Sequence, residues 1–70
     1  MKRLFKTIGK RIAECRRKLN YSQEYLAEKT GLHRNYIGYI ERGEKRATIE
    51  NIRNVAYAVG LSLEQLFKDF

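Results

Sequence analysis

The sequence predicts an all-α chain of five short helices, on three observations. Its 70 residues contain no proline, the residue least tolerated inside a helix. Apolar side chains recur three and four residues apart over successive stretches, which is the spacing of one helical face. The stretches are punctuated by capping residues and stop glycines: Ser22, Gly31, Gly43, Thr48, Gly60 and Ser62.

The first helix is expected over residues 3–19, where Phe5, Ile8, Ile12, Cys15 and Leu19 form one stripe. Gly9 interrupts it at a modest propensity cost. Lys6, Lys10, Arg11, Arg17 and Lys18 occupy the other face. Cys15 belongs to the stripe and reads as a small core hydrophobe, not as a reactive thiol. Asn20 and Tyr21 make the turn. Ser22 then N-caps a second helix, with Glu24 at the positive end of its dipole, Leu26 and Ala27 inward, and Gly31 at its end. Leu32 plugs the turn into a third helix, about residues 34–42. There Ile37 and Ile40 face inward while Arg34, Asn35, Gly38 and Arg42 face out, and Gly43 stops it. Two helices joined by a short turn containing glycine make a helix-turn-helix unit, residues 22–43. Thr48 caps a fourth helix with Ile49, Ile52, Val55, Ala56 and Val59 as its apolar face and Gly60 as its stop. Ser62 and Gln65 have capping-box spacing and open a fifth, along which Leu63, Leu66, Phe67 and Phe70 follow at helical intervals.

Charge narrows the function. The net charge is +7, and it is unevenly placed. Residues 1–46 carry thirteen Lys/Arg against five Glu (+8), and residues 47–70 carry two against three acids (−1). A basic front and a near-neutral back suit a face turned toward a polyanion; the plainer alternative is a set of solubilising lysines. One cysteine and one histidine provide neither an internal disulfide nor a zinc-ligand set. A reducing cytoplasm is the expected setting. No apolar run approaches the roughly 18 residues a membrane span needs, and the early basic residues do not make a signal peptide. No Gly-rich phosphate loop or nucleophile–base pair points to an enzyme, and no cofactor is expected. At this length one domain spanning residues 1–70 is expected, and dimerisation commonly supports so small a core.

Ser22-Gln23-Glu24, Leu26-Ala27, Gly31, Ile37 and Ile40-Glu41-Arg42-Gly43, continued by Thr48-Ile49, Ile52, Ala56, Gly60 and Leu66-Phe67, resemble the lambda-repressor-like (Xre-type) helix-turn-helix family of transcriptional regulators. Tyr36-Ile37 together with Ile40-Glu41-Arg42-Gly43 is similar to the controller proteins of restriction–modification systems. The resemblance implies a compact five-helix lambda-repressor-like DNA-binding domain acting as a homodimer on a near-palindromic operator. It implies a structural ion pair between Arg16 and Glu41. It implies double-stranded DNA as partner, read through the major groove, with RNA polymerase as a further contact. A dimer interface drawn from residues 57–70, with Tyr57, Leu63, Phe67 and Phe70, is expected because the last helix holds more apolar side chains than a terminal helix needs to bury.

In such a unit the second helix lies in the major groove and the first crosses the backbone. Arg34, Asn35, Tyr36 and Tyr39 are therefore the base-reading candidates. Arg34 suits guanine O6 and N7, and Asn35 suits adenine N6 and N7. Gln23 stands at a helix N-terminus, which favours an anion. Lys10, Arg11, Arg17, Arg42, Lys45 and Arg46 are candidate phosphate contacts, as is His33, which can also cap the reading helix. The alternative is an antitoxin-like module whose helix-turn-helix fold serves a protein partner.

Overall fold

A computed structural model describes residues 2–44 and 47–70. The elements run α1 (Lys2–Lys18), α2 (Gln23–Thr30), α3 (Arg34–Glu41), α4 (Ile49–Ala58) and α5 (Leu63–Leu66). One apolar cluster joins them. Ile8 and Ile12 of α1, Leu26 and Ala27 of α2, Ile37 and Ile40 of α3, Ile52, Val55 and Ala56 of α4, and Leu66 of α5 are all buried in it. Cys15 is half-buried against the same cluster, as its place in the stripe predicts.

The caps act where the sequence places them. The Ser22 hydroxyl accepts from the Tyr25 N–H at 2.9 Å. Thr48 accepts from the Asn51 N–H at 3.2 Å. Ser62 and Gln65 form a reciprocal capping box. At the end of α2, Gly31 has φ 75°, and the Leu32 N–H reaches back to the Ala27 carbonyl at 3.0 Å. This 6→1 bond is the Schellman ending, and it needs a left-handed residue. Asn20 does the same after α1, with φ 60° and the Tyr21 N–H on the Arg16 carbonyl at 3.1 Å. Asparagine tolerates that conformation better than other residues with a side chain.

Five expectations need correction. Helix α1 runs unbroken through Gly9, because Gly9 is where the end of α3 crosses it. A Cβ built there would lie 2.2 Å from the Ile40 carbonyl oxygen. Leu19 falls in the turn after α1 and is 45% exposed. Ile49, in the first turn of α4, overhangs the core and is 62% exposed. Gly38 is buried, since the Arg42 side chain folds back over it. The last helix is also shorter than its apolar pattern suggests: α5 ends at Leu66, Phe67 is its C-cap, and Asp69 turns left-handed with φ 72°.

Candidate nucleic-acid interface

A carboxylate at the end of α3 organises the site. Glu41 Oε2 accepts from Arg16 Nε at 2.6 Å, and its Oε1 accepts from Arg16 Nη2 at 3.1 Å and from Gln23 Nε2 at 2.9 Å. Arg16 also donates through Nη1 to the Tyr21 carbonyl at 2.9 Å. The two charged side chains are almost wholly covered, with 12% and 6% of their surface exposed. This two-pronged geometry is the strong form of an ion pair. It fastens α1, the start of α2 and the end of α3 to one point, and so sets the angle of α3.

Above it lies an open groove between the start of α2 and the outer face of α3. Ser22, Gln23 and Glu24 form one wall, Arg34, Asn35, Gly38, Tyr39 and Arg42 form the other, and Arg16 is at the floor. Of the residues singled out as base-reading, Arg34, Asn35 and Tyr39 meet here; of the phosphate candidates, Gln23 and Arg42 do. Arg34 stands in the first turn of α3 with 62% of its side chain exposed, and its Nη1 donates to Glu24 Oε1 at 3.0 Å. Asn35 is exposed. The Arg42 guanidinium lies 5.3 Å from the Tyr39 ring centre, a cation–π distance, and its Nε donates to Glu44 Oε2 at 2.8 Å. His33 caps α3, its Nδ1 accepting from the Asn35 N–H at 3.0 Å. Its exposed ring lines a separate, neighbouring depression with Glu24, Gly31 and Arg34.

Two residues do not take the places expected of them. Tyr36 turns away from the groove. Its hydroxyl accepts from the Thr48 N–H at 3.0 Å and from Asn51 Nδ2 at 3.1 Å, so it joins α3 to the start of α4. Burial alone would raise its pKa, but the hydrogen bonds from Asn51 and Thr48 outweigh it and hold the phenol below the usual 10.0. Arg11 lies outside the groove and reaches the end of α5, where its Nη1 points at the carbonyls of Gln65, Leu66 and Lys68 at 3.3, 2.8 and 2.8 Å. Lys10 and Arg17 are exposed on α1 outside the groove. Lys45 and Arg46 lie outside the described residues. Toward the other end, Tyr57 and Phe70 are 58% and 61% exposed and Leu63 is 36% exposed. Phe67 is half-buried against the core.

Sequence reasoning missed Glu24, Glu44 and Asn51 as partners. Glu24 and Arg34 sit on different helices, so no periodicity pairs them. Tyr36 left a readable signal, because it precedes Ile40 by four residues and so shares its stripe. Among the described residues no cluster of His, Cys, Asp and Glu could hold a metal ion, and no helix is long and apolar enough to cross a membrane.

A helix-turn-helix family model (HTH_3) matches residues 12–67. Control protein C.SmaI of Serratia marcescens is 47% identical over 47 residues, which are 67% of this chain and 56% of that protein. The chain thus spans little more than half the length of that relative. Among solved structures, the restriction–modification controller protein C.AhdI of Aeromonas hydrophila is 36% identical with a TM-score of 0.79, covering 90% of this chain and 96% of that one. The controller protein C.Esp1396I, solved as a tetramer in complex with its natural 35 base-pair operator, is 30% identical with a TM-score of 0.78, covering 91% and 84%. With the family model spanning most of its length, and controller proteins among its sequence and structural relatives alike, the chain belongs to the Xre-type helix-turn-helix family, on a lambda-repressor-like fold.

Proposed function

We propose that this protein is a sequence-specific DNA-binding transcriptional regulator that acts as a homodimer on a near-palindromic operator, in the manner of the restriction–modification controllers it resembles. The observation that carries the reading is the groove itself. A short helix headed by Arg34 and Asn35 presents them beside the N-terminus of α2, and the Arg16–Glu41–Gln23 bonds fix that arrangement from below. A helix held so can enter the major groove while the start of α2 meets the backbone. Arg34 is assigned to a guanine edge and Asn35 to an adenine edge, with Tyr39 alongside. Gln23, His33 and Arg42, with Lys10 and Arg17 farther out, are assigned to phosphates, which position the protein without reading sequence. Lys45 and Arg46 keep that assignment on their charge. Tyr36 and Arg11 are withdrawn, because both are engaged within the fold. Residues 57–70 are assigned to self-association.

Such a protein regulates by excluding RNA polymerase from a promoter or by contacting it there, in the cytoplasm and without catalysis. A binding selection on a random duplex pool at roughly physiological salt tests the reading. The expected outcome is a near-palindrome whose half-sites lie about one helical turn apart, roughly 34–36 Å. Sequence-blind binding that vanishes as salt rises would leave only the electrostatic term, and the regulator assignment would fall.

A further inference from the structure

Arg11 sits three residues after Ile8 and four before Cys15, on the border between the basic face of α1 and its apolar stripe. Its guanidinium explains the position. Nη1 is directed at the carbonyls of Gln65, Leu66 and Lys68, and the guanidinium carbon lies 5.4 Å from the centre of the Phe70 ring. A helix C-terminus leaves carbonyls without internal partners and carries the negative end of the dipole, so a cation placed there is favourable.

The need for that cap is unusually large. Helix α5 is four residues long, far short of the roughly 12–15 residues at which an isolated helix becomes even marginal. Its attachments include the capping box at its start, the buried Leu66, Phe67 half-buried against the core and Arg11 at its end. Of these, Arg11 is the side chain that bonds to the backbone after Leu66, at the Lys68 carbonyl, in the segment that carries Phe67 and Phe70. Leu63, Phe67 and Phe70 are, with Tyr57, the residues assigned above to self-association, and Leu63 and Phe70 are turned substantially to solvent.

We infer that Arg11 is the positioning residue of the self-association face. It ties the α5 segment to α1 in one geometry so that Leu63 and Phe70 meet a second copy of this chain already ordered. Ordering those side chains only on contact would cost affinity, and fixing them beforehand removes that cost. The inference rests on the homodimer reading and adds a residue outside the interface that sets its strength.

Sedimentation equilibrium of the full chain, wild type and Arg11→Gln, tests it, with the salt dependence of operator binding measured on both. Arg11→Gln is expected to raise the dimer dissociation constant at least tenfold. Its far-ultraviolet circular dichroism should be unchanged, and so should the slope of log K against log salt for the bound dimer. Arg11→Lys keeps the charge but offers a point donor in place of the fork, and is expected to restore part of the association. Dimerisation of Arg11→Gln at the wild-type constant would overturn the inference. So would a slope flattened by the substitution at unchanged dimerisation, which would return Arg11 to the phosphate contacts. Loss of helix in both variants would make Arg11 a general stability residue and overturn it equally. A wild type that stays monomeric at all concentrations would instead sink the homodimer reading itself, before any variant is compared.

Discussion

Glu41 accepts three hydrogen bonds from two other helical segments, so removing it exposes the cost of leaving Arg16 covered and unpaired. Glu41→Ala is expected to cost about 3 kcal/mol, read as a fall in the urea midpoint at unchanged m-value. The double replacement Arg16→Met with Glu41→Leu should recover most of that loss, since two apolar side chains carry no charge to desolvate. A loss under about 1 kcal/mol for Glu41→Ala would mean that the pair behaves as a solvated one. Arg34 is a different case. Its bond to Glu24 joins two exposed side chains and is worth little to the fold, leaving the guanidinium available to a base. Arg34→Ala should leave the melting temperature within error, weaken operator binding by about 1–3 kcal/mol and relax preference at one base pair per half-site. Equal weakening on every sequence would make Arg34 a phosphate contact. Tyr36 gives a pH test. Its folded pKa lies below the ordinary value, so its ionisation adds nothing while both states are protonated. Its contribution grows as pH rises through the folded value and is complete above the unfolded one near 10. Relative to wild type, Tyr36→Phe should therefore lose stability progressively over that alkaline window, and a pH-independent difference would assign the effect to packing. At this scale the residues of the groove were legible from helical position, but the direction of a long side chain was not. Tyr36 lies on an apolar stripe and Arg11 on the border of one, and the hydroxyl and guanidinium at their tips travel to partners 12 and 15 residues away in the first case and 54–57 in the second.

At the scale of elements, the fit of α3 across α1 depends on an absent side chain. Two effects oppose each other at Gly9. Helix propensity favours alanine there by about 1 kcal/mol, while a Cβ would meet backbone atoms of Ile40 and Glu41 at 2.2 and 2.6 Å. Backbone cannot swing aside as a lysine tip can, so the overlap prevails. Gly9→Ala should destabilise by about 1–3 kcal/mol and weaken operator binding further by tilting α3. A stabilised variant would show that the helices cross farther apart. From sequence alone this glycine is a flaw in the helix, because propensity is a local quantity and the reason for Gly9 lies 31 residues away. The helix starts were legible, since Ser22, Thr48 and Ser62 bond within their own first turns. The end of α5 was not, because its last carbonyls are met by Arg11 of another helix, and Leu63, Phe67 and Phe70 alone read as a longer helix than the four residues that form.

At the scale of the whole molecule, the uneven charge divides into cations with different work to do. Arg16 is spent on Glu41 and Arg11 on α5, so the basic half offers DNA fewer cations than its formal charge suggests. Arg42 lines the groove, while Arg53 is exposed on α4 in the near-neutral half. Binding to DNA releases roughly 0.9 counterion for each phosphate neutralised, and this sets the slope of log K against log salt. Arg42→Ala removes one such contact per subunit. On a full operator it should flatten the slope by about two units if two copies are bound, and by about one if a single copy is. Arg53→Ala lowers the net charge by the same amount and should leave the slope unchanged. The pair of slopes thus measures the binding face and the number of bound subunits together. Equal flattening by both variants would mean that DNA responds to overall charge, and the oriented groove would lose its role. A flattening of about one unit confined to Arg42→Ala would keep the groove but leave the operator with one subunit, at odds with the two-fold reading of the site.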